Sequence, residues 1–170
     1  NVAIGYQALD AEDDGDFNTA VGHQALTAQT GITGATANTA IGHTSMAANL
    51  IGVANTAVGY DSLDTDVNGS GTTAIGYHSL HGQETSGSAE VYTGNTGLGY
   101  RSGRFNVTGT SNTYIGSQAG TGASGENNSG NTAVGKDAML AVTTGGSNTV
   151  MGDAVADAIT DGHDNVIIGS

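Results

Sequence analysis

The apolar residues of this chain come in short bursts at a fixed interval, which neither an amphipathic helix nor one long alternating strand would produce. Aligned on Asn1-Val2-Ala3-Ile4-Gly5-Tyr6-Gln7-Ala8-Leu9, the sequence holds ten copies, beginning at Asn1, Asn18, Asn38, Asn55, Thr72, Asn95, Asn112, Asn131, Asn148 and Asn165. The start-to-start spacings are 17, 20, 17, 17, 23, 17, 19, 17 and 17, so the unit is 17 residues with three insertions. All three fall in the variable half of the unit, where surface loops absorb length. Residues 1–170 therefore read as one repetitive domain, expected to be a segment of a longer fibre.

The columns of the alignment carry the local prediction. Position five is glycine in every copy, from Gly5 to Gly169, which suits a positive φ or a close backbone approach. Position four is always aliphatic, as in Ile4, Val21, Ile41, Val58 and Ile75, and position two is mostly threonine, as in Thr19, Thr56 and Thr73. In a strand, residues two apart share a face, so these two columns point the same way and the third-position residues, mostly alanine, point the other. The aliphatic column is expected to be the dry interior. The alanine column, with Ala57 and Ala74, is then expected outside, where its small apolar residues suggest contact between chains.

Glycine, β-branched residues and short alternation argue against helix. The predicted fold is all-β, a parallel β-solenoid of the β-roll or β-helix kind with about ten 17-residue coils, expected to be oligomeric. Seventeen residues trace about 56 Å of contour, enough for a flat coil of two short strands, and ten coils stacked at about 4.8 Å make a rod of about 45 Å. Like residues then stack on like, so the first-position asparagines are expected to form a ladder that satisfies turn backbone groups.

Composition narrows the function. Only 36% of the chain is hydrophobic and 5% aromatic, with 29 glycines, so stability must come from stacking rather than from a conventional core. Sixteen acidic residues against Arg101, Arg104 and Lys136 give a net charge of -13, which repels nucleic acid and anionic membranes. No apolar run approaches a membrane span, so no membrane insertion is expected. With no cysteine, neither a disulfide framework nor a thiolate metal site is available.

The recurrent Asn-Thr-Ala-(Ile/Val)-Gly-(Tyr/His)-x-(Ala/Ser)-Leu string resembles the NTAVGYQAL-type repeats of phage tail-fibre-like and surface-fibre proteins. It is also similar to the head repeats of trimeric autotransporter adhesins, although those units tend to be a few residues shorter. The resemblance covers nearly the whole chain. It implies a parallel β-roll, commonly a homotrimer, lying outside the cell or on a virion as a spacer and attachment surface that engages a cell-surface receptor or glycan.

Candidate sites lie in the turns. Asp64, Asp66 and Asn68 match the first half of a calcium loop, and Asp10, Glu12 and Asp14 occupy the same repeat positions. The bidentate acid of such a loop is missing, because Ile75 and Val21 sit at its place, so an ordinary solvated turn stands beside the calcium reading. His23 and His43 share column six with Tyr6, Tyr60, Tyr77 and Tyr100, predicting a stacked aromatic ladder with a shared metal as the other reading. His78 and His81 make no recognised metal spacing. No nucleophile elbow, phosphate loop or Ser-His-Asp arrangement is present, so neither catalysis nor a cofactor is expected.

The expected function is a structural fibre and adhesion module, extracellular, at a cell surface or virion-borne, that self-associates. A filament subunit polymerising through open solenoid ends is the alternative, because the sequence starts and stops inside the repeat pattern. Ice binding is prompted by the threonine column, but it requires outward hydroxyls, and these threonines share the face assigned to the interior.

Overall fold

Positions two to four of each unit form a three-residue strand, and the glycine that follows ends it. Ten such strands, from Val2–Ile4 and Thr19–Val21 through Thr73–Ile75 to Thr149–Met151 and Val166–Ile168, pair in sequence order into one parallel sheet. This computed structural model describes residues 1–30, 34–87, 89–123, 125 and 127–170. The architecture is the predicted all-β parallel β-solenoid, and its register sets like on like: Thr56 beside Thr73, Ala57 beside Ala74, Val58 beside Ile75.

The second half of the coil departs from expectation, because it is a turn rather than a second strand. Residues at positions seven and nine take left-handed backbone, as at Gln24 (φ 54) and Leu26 (φ 52). The coils still bond to one another there: Leu26 N donates to Ser45 O at 3.0 Å, and Met46 N to Ser62 O at 3.0 Å. Two further pairs of two-residue strands form in the variable segments, Gly15–Asp16 with Gly34–Ala35 and Gly69–Ser70 with Val91–Tyr92. All three lengthened units contain residues outside the described ones: 31–33, 88, and 124 with 126.

Column five combines both demands that call for glycine. The backbone there sits near φ +135, as at Gly59 (φ +136), and a Cβ on Gly59 would meet the carbonyl oxygen of Gly76 at 2.5 Å. From Gly5 to Gly152 no side chain could be added to this column without pushing neighbouring coils apart.

The alternation of the strand is as predicted, but its sense is reversed. Ala20, Ala40, Ala57, Ala74 and Ala133 are fully buried, whereas Ile41, Leu98 and Met151 in the aliphatic column are exposed and Val58 and Ile75 are half-buried. The interior is therefore built from column three facing columns eight and nine, which supply Ala25, Leu26, Met46, Leu63, Leu80 and Met139. Gly97 shows how little room the sheet side has opposite a leucine: even a Cβ there would lie 2.5 Å from Ser79 Oγ and 2.9 Å from Leu80 Cγ. The leucines of the turn half already fill the coil, and a methyl group is what remains on the sheet side. The one aromatic residue in column three, Tyr114, confirms the geometry. Position nine is glycine in the same coil (Gly120) and in the preceding one (Gly103), and a Cβ on either would strike the Tyr114 ring, at 2.2 Å and 2.7 Å respectively.

The asparagine ladder forms as predicted and is buried. Asn55 N donates to Asn38 Oδ1 at 2.9 Å, Thr72 N to Asn55 Oδ1 at 2.9 Å and Asn131 N to Asn112 Oδ1 at 2.9 Å. Most of the side-chain amides also donate to a turn carbonyl fourteen to sixteen residues on, as from Asn55 to Gly69 O and from Asn112 to Asn128 O, both at 2.7 Å. At the six-residue insertion Thr72 replaces asparagine, and Gln83 takes over by donating to Thr72 Oγ1 at 3.2 Å and accepting from Asn95 Nδ2 at 2.8 Å.

Candidate functional site

Because the alanines are inside, the solvent face of the ten-stranded sheet carries columns two and four. That face is threonine beside isoleucine, valine, leucine or methionine on rung after rung, bounded by valines at Val2 and Val166. No charged residue occupies either column, although the chain has 19 of them. The ice-binding objection changes accordingly: the threonines do share a face with the aliphatics, but the face is outward.

Column six borders this face as the predicted ladder of stacked rings. Centroids are separated by 5.1 Å for Tyr6–His23, 4.8 Å for His23–His43, 5.2 Å for His43–Tyr60, 5.4 Å for Tyr60–Tyr77 and 5.5 Å for Tyr77–Tyr100. His23 and His43 lie almost parallel, 6° apart, so the two imidazoles present faces rather than nitrogen lone pairs to each other. Among the described residues no group of three or more His, Cys, Asp or Glu converges on a common point.

The acidic turns are not gathered either. Asp66 is buried, with Oδ1 accepting from Gly69 N at 3.1 Å and from Thr85 N at 3.2 Å as well as from the Thr85 hydroxyl, while Oδ2 accepts from Gln83 Nε2 at 2.6 Å. Burial pushes its carboxyl above the usual carboxylate range, and these donors pull the other way. Asp64 instead faces His81, whose pKa it raises through their hydrogen bond, and Asn68 Nδ2 donates to Gly87 O at 2.7 Å. In the first turn Glu12 Oε1 accepts from Asp14 N at 3.1 Å and also from Gly15 N, closing the turn, while Asp10 and Asp14 are exposed. The carboxylates thus serve turn backbones and a histidine, one by one.

Sequence reasoning missed a band of charge in columns seven and ten. Three successive coils place Asp61 and Asp64, then His78 and His81, then Arg101 and Arg104 in these two columns. His78 Nε2 lies 3.4 Å from Asp61 Oδ2 and its ring stacks on His81 at 4.6 Å. Burial lowers the His78 pKa, and the nearby His81 and Arg104 lower it further. The signal was present in the alignment, since each residue falls in register with the next, but it lies outside the columns that repeat a residue type.

The chain is thus a parallel β-solenoid with a charge-free sheet face, an aromatic border and a charged turn band. No family model, curated protein or solved structure matches it.

Proposed function

We propose that the chain is a structural module of an extracellular or virion-borne fibre, a stiff spacer and attachment surface that works as an assembly of copies. The observation that carries this reading is the outer sheet face: two adjacent columns over ten rungs without a charge, in a chain of net charge -13. A strip about 45 Å long and about 10 Å wide, on the order of 450 Å², is as large as the functional apolar patches of ordinary monomers. Solvent-facing strands usually carry charged or long polar side chains, which keep sheets from associating. Here the pattern is inverted, and a second copy presenting the same strip covers it symmetrically. The resemblance of the repeat to fibre proteins implies three copies, and the strip suits that arrangement because each chain offers one straight face along the whole rod.

The test is mass in solution. Light scattering is expected to give a multiple of the 16.7 kDa chain mass, falling to one chain in the double variant Val58→Glu/Ile75→Glu while the sheet signal in circular dichroism persists. A wild type that stays at one chain mass at high concentration would end the assembly reading.

A second reading gains support from the outward threonines. A flat row of hydroxyl and methyl groups spaced at about 4.8 Å is the kind of surface that can order water into an ice-like layer. It claims the same strip as an ice-binding face, and it predicts thermal hysteresis in the wild type that is lost in Thr56→Val/Thr73→Val. The absence of hysteresis would eliminate it.

A further inference from the structure

We propose that Tyr60, Tyr77 and Tyr100 are a site of oxidative tyrosine coupling, at which a peroxide-driven one-electron oxidant joins neighbouring rings and staples successive coils together. The inference stands apart from the fibre reading, because it concerns bonds within one chain.

The first observation is placement. Of the six tyrosines, these three occupy column six on three successive coils. Their ring centroids are 5.4 Å and 5.5 Å apart, with planes 12° and 14° from parallel. Backbone bonds on both sides of the column fix this register. Gly76 N donates to Val58 O at 2.8 Å and His78 N to Tyr60 O at 3.0 Å; on the next coil Gly99 N donates to Ile75 O at 2.8 Å and Arg101 N to Tyr77 O at 2.9 Å. Each ring therefore has a like ring held beside it, which replaces a chance encounter by a standing one. The three are 42–45% exposed, so an oxidant reaches them and a ring can tilt towards its neighbour without opening the interior.

The second observation is that the other tyrosines lack this arrangement. Tyr6 is 67% exposed, but its ladder neighbour is His23, and two histidine rungs separate it from Tyr60. Tyr92 is 74% exposed and lies outside the ladder column. Tyr114 is buried, with its hydroxyl bonded to Asn128. Exposure alone would direct oxidation to Tyr6 and Tyr92, whereas stacking directs coupling to Tyr60, Tyr77 and Tyr100. The chain also has no cysteine and a single lysine, so neither disulfides nor repeated lysine amide bonds can staple its coils.

The chemistry balances without a cofactor of the chain. The oxidant takes one electron from each of two phenols, and each phenolic proton passes to water. The two phenoxyl radicals share their spin with the ring carbons beside the oxygen-bearing one, the Cε atoms, and two of these join in a carbon–carbon bond. Each joined carbon then loses its hydrogen as a proton, and each oxygen takes one up, restoring both phenols. In all, two electrons and two protons pass to one peroxide, which becomes two waters. A bond from Tyr77 to Tyr100 spans the six-residue insertion, so it restrains the longest loop of the unfolded chain.

The experiment is treatment of the dilute full chain with hydrogen peroxide and a haem peroxidase. Blue dityrosine fluorescence is expected, with the denatured chain still migrating at one chain mass. Peptide mapping should join Tyr77 to Tyr60 or to Tyr100, and the melting temperature should rise by about 5 °C. Tyr77→Phe keeps a stacked ring but separates the two remaining tyrosines by two coils, so it should melt like the wild type before oxidation and lose about tenfold of the fluorescence after it. Tyr6→Phe and Tyr92→Phe should couple as the wild type does. An absence of fluorescence, its persistence in Tyr77→Phe, products mapped chiefly to Tyr6 or Tyr92, bonds formed only between chains, or a coupled chain that melts like the untreated one would each overturn the proposal.

Discussion

Ala74→Glu is expected to unfold the solenoid, whereas Ile75→Asp, one residue along the same strand, is expected to leave it folded. Ala74 is fully buried between the sheet and the leucines of the turn half. A glutamate there overfills a space sized for a methyl group and buries an unpaired carboxylate, at a cost of about 3–5 kcal/mol or more. Ile75 is half-buried on the outer face, where an aspartate can reach water and loses about 1 kcal/mol of cross-strand packing and strand preference. The pair reverses what the usual burial of aliphatic residues suggests. Urea unfolding followed by circular dichroism checks it, with Ala74→Glu lacking a cooperative transition and Ile75→Asp keeping one close to wild type.

Asn38→Ala should produce the other large loss. Asn38 Oδ1 accepts from Asn55 N at 2.9 Å, and Nδ2 donates to Gly52 O at 2.7 Å and to Gln29 Oε1 at 2.8 Å, all in the buried interior. Removing the amide strands the buried Asn55 N–H, at a cost of about 1–3 kcal/mol, and leaves Gly52 O and Gln29 Oε1 with only the longer bonds from Asn49 Nδ2 at 3.1 Å and 3.3 Å. By contrast, Asn127→Ala removes an exposed bond to Thr108 and should cost less than about 1 kcal/mol. Comparing the two unfolding midpoints separates the ladder from asparagine content in general.

The repeat made the fold legible because each structural demand recurs on every coil. Glycine at column five in ten copies, asparagine at column one in nine and rings at column six in six show their geometric roles plainly. What alternation cannot supply is the sense of the strand. Columns two and four were assigned inwards because aliphatic residues are usually buried. That rule fails here because Leu26, Met46, Leu63 and Leu80 fill the coil from the turn side. A size correlation between distant columns carried the answer: Tyr114 in column three occurs where column nine is Gly103 and Gly120 instead of leucine or methionine. The charged band of columns seven and ten is harder to read, since those columns do not repeat a residue type.

The chain has no cysteine, so single cysteines introduced on the strand report directly on which face is inside. In native protein, Ala57→Cys should resist maleimide until the chain is denatured. Val58→Cys should be modified, by the reagent where its face is free or by a disulfide to the next copy where copies meet. Native labelling of Ala57→Cys, with Val58→Cys neither labelled nor cross-linked, would contradict the account.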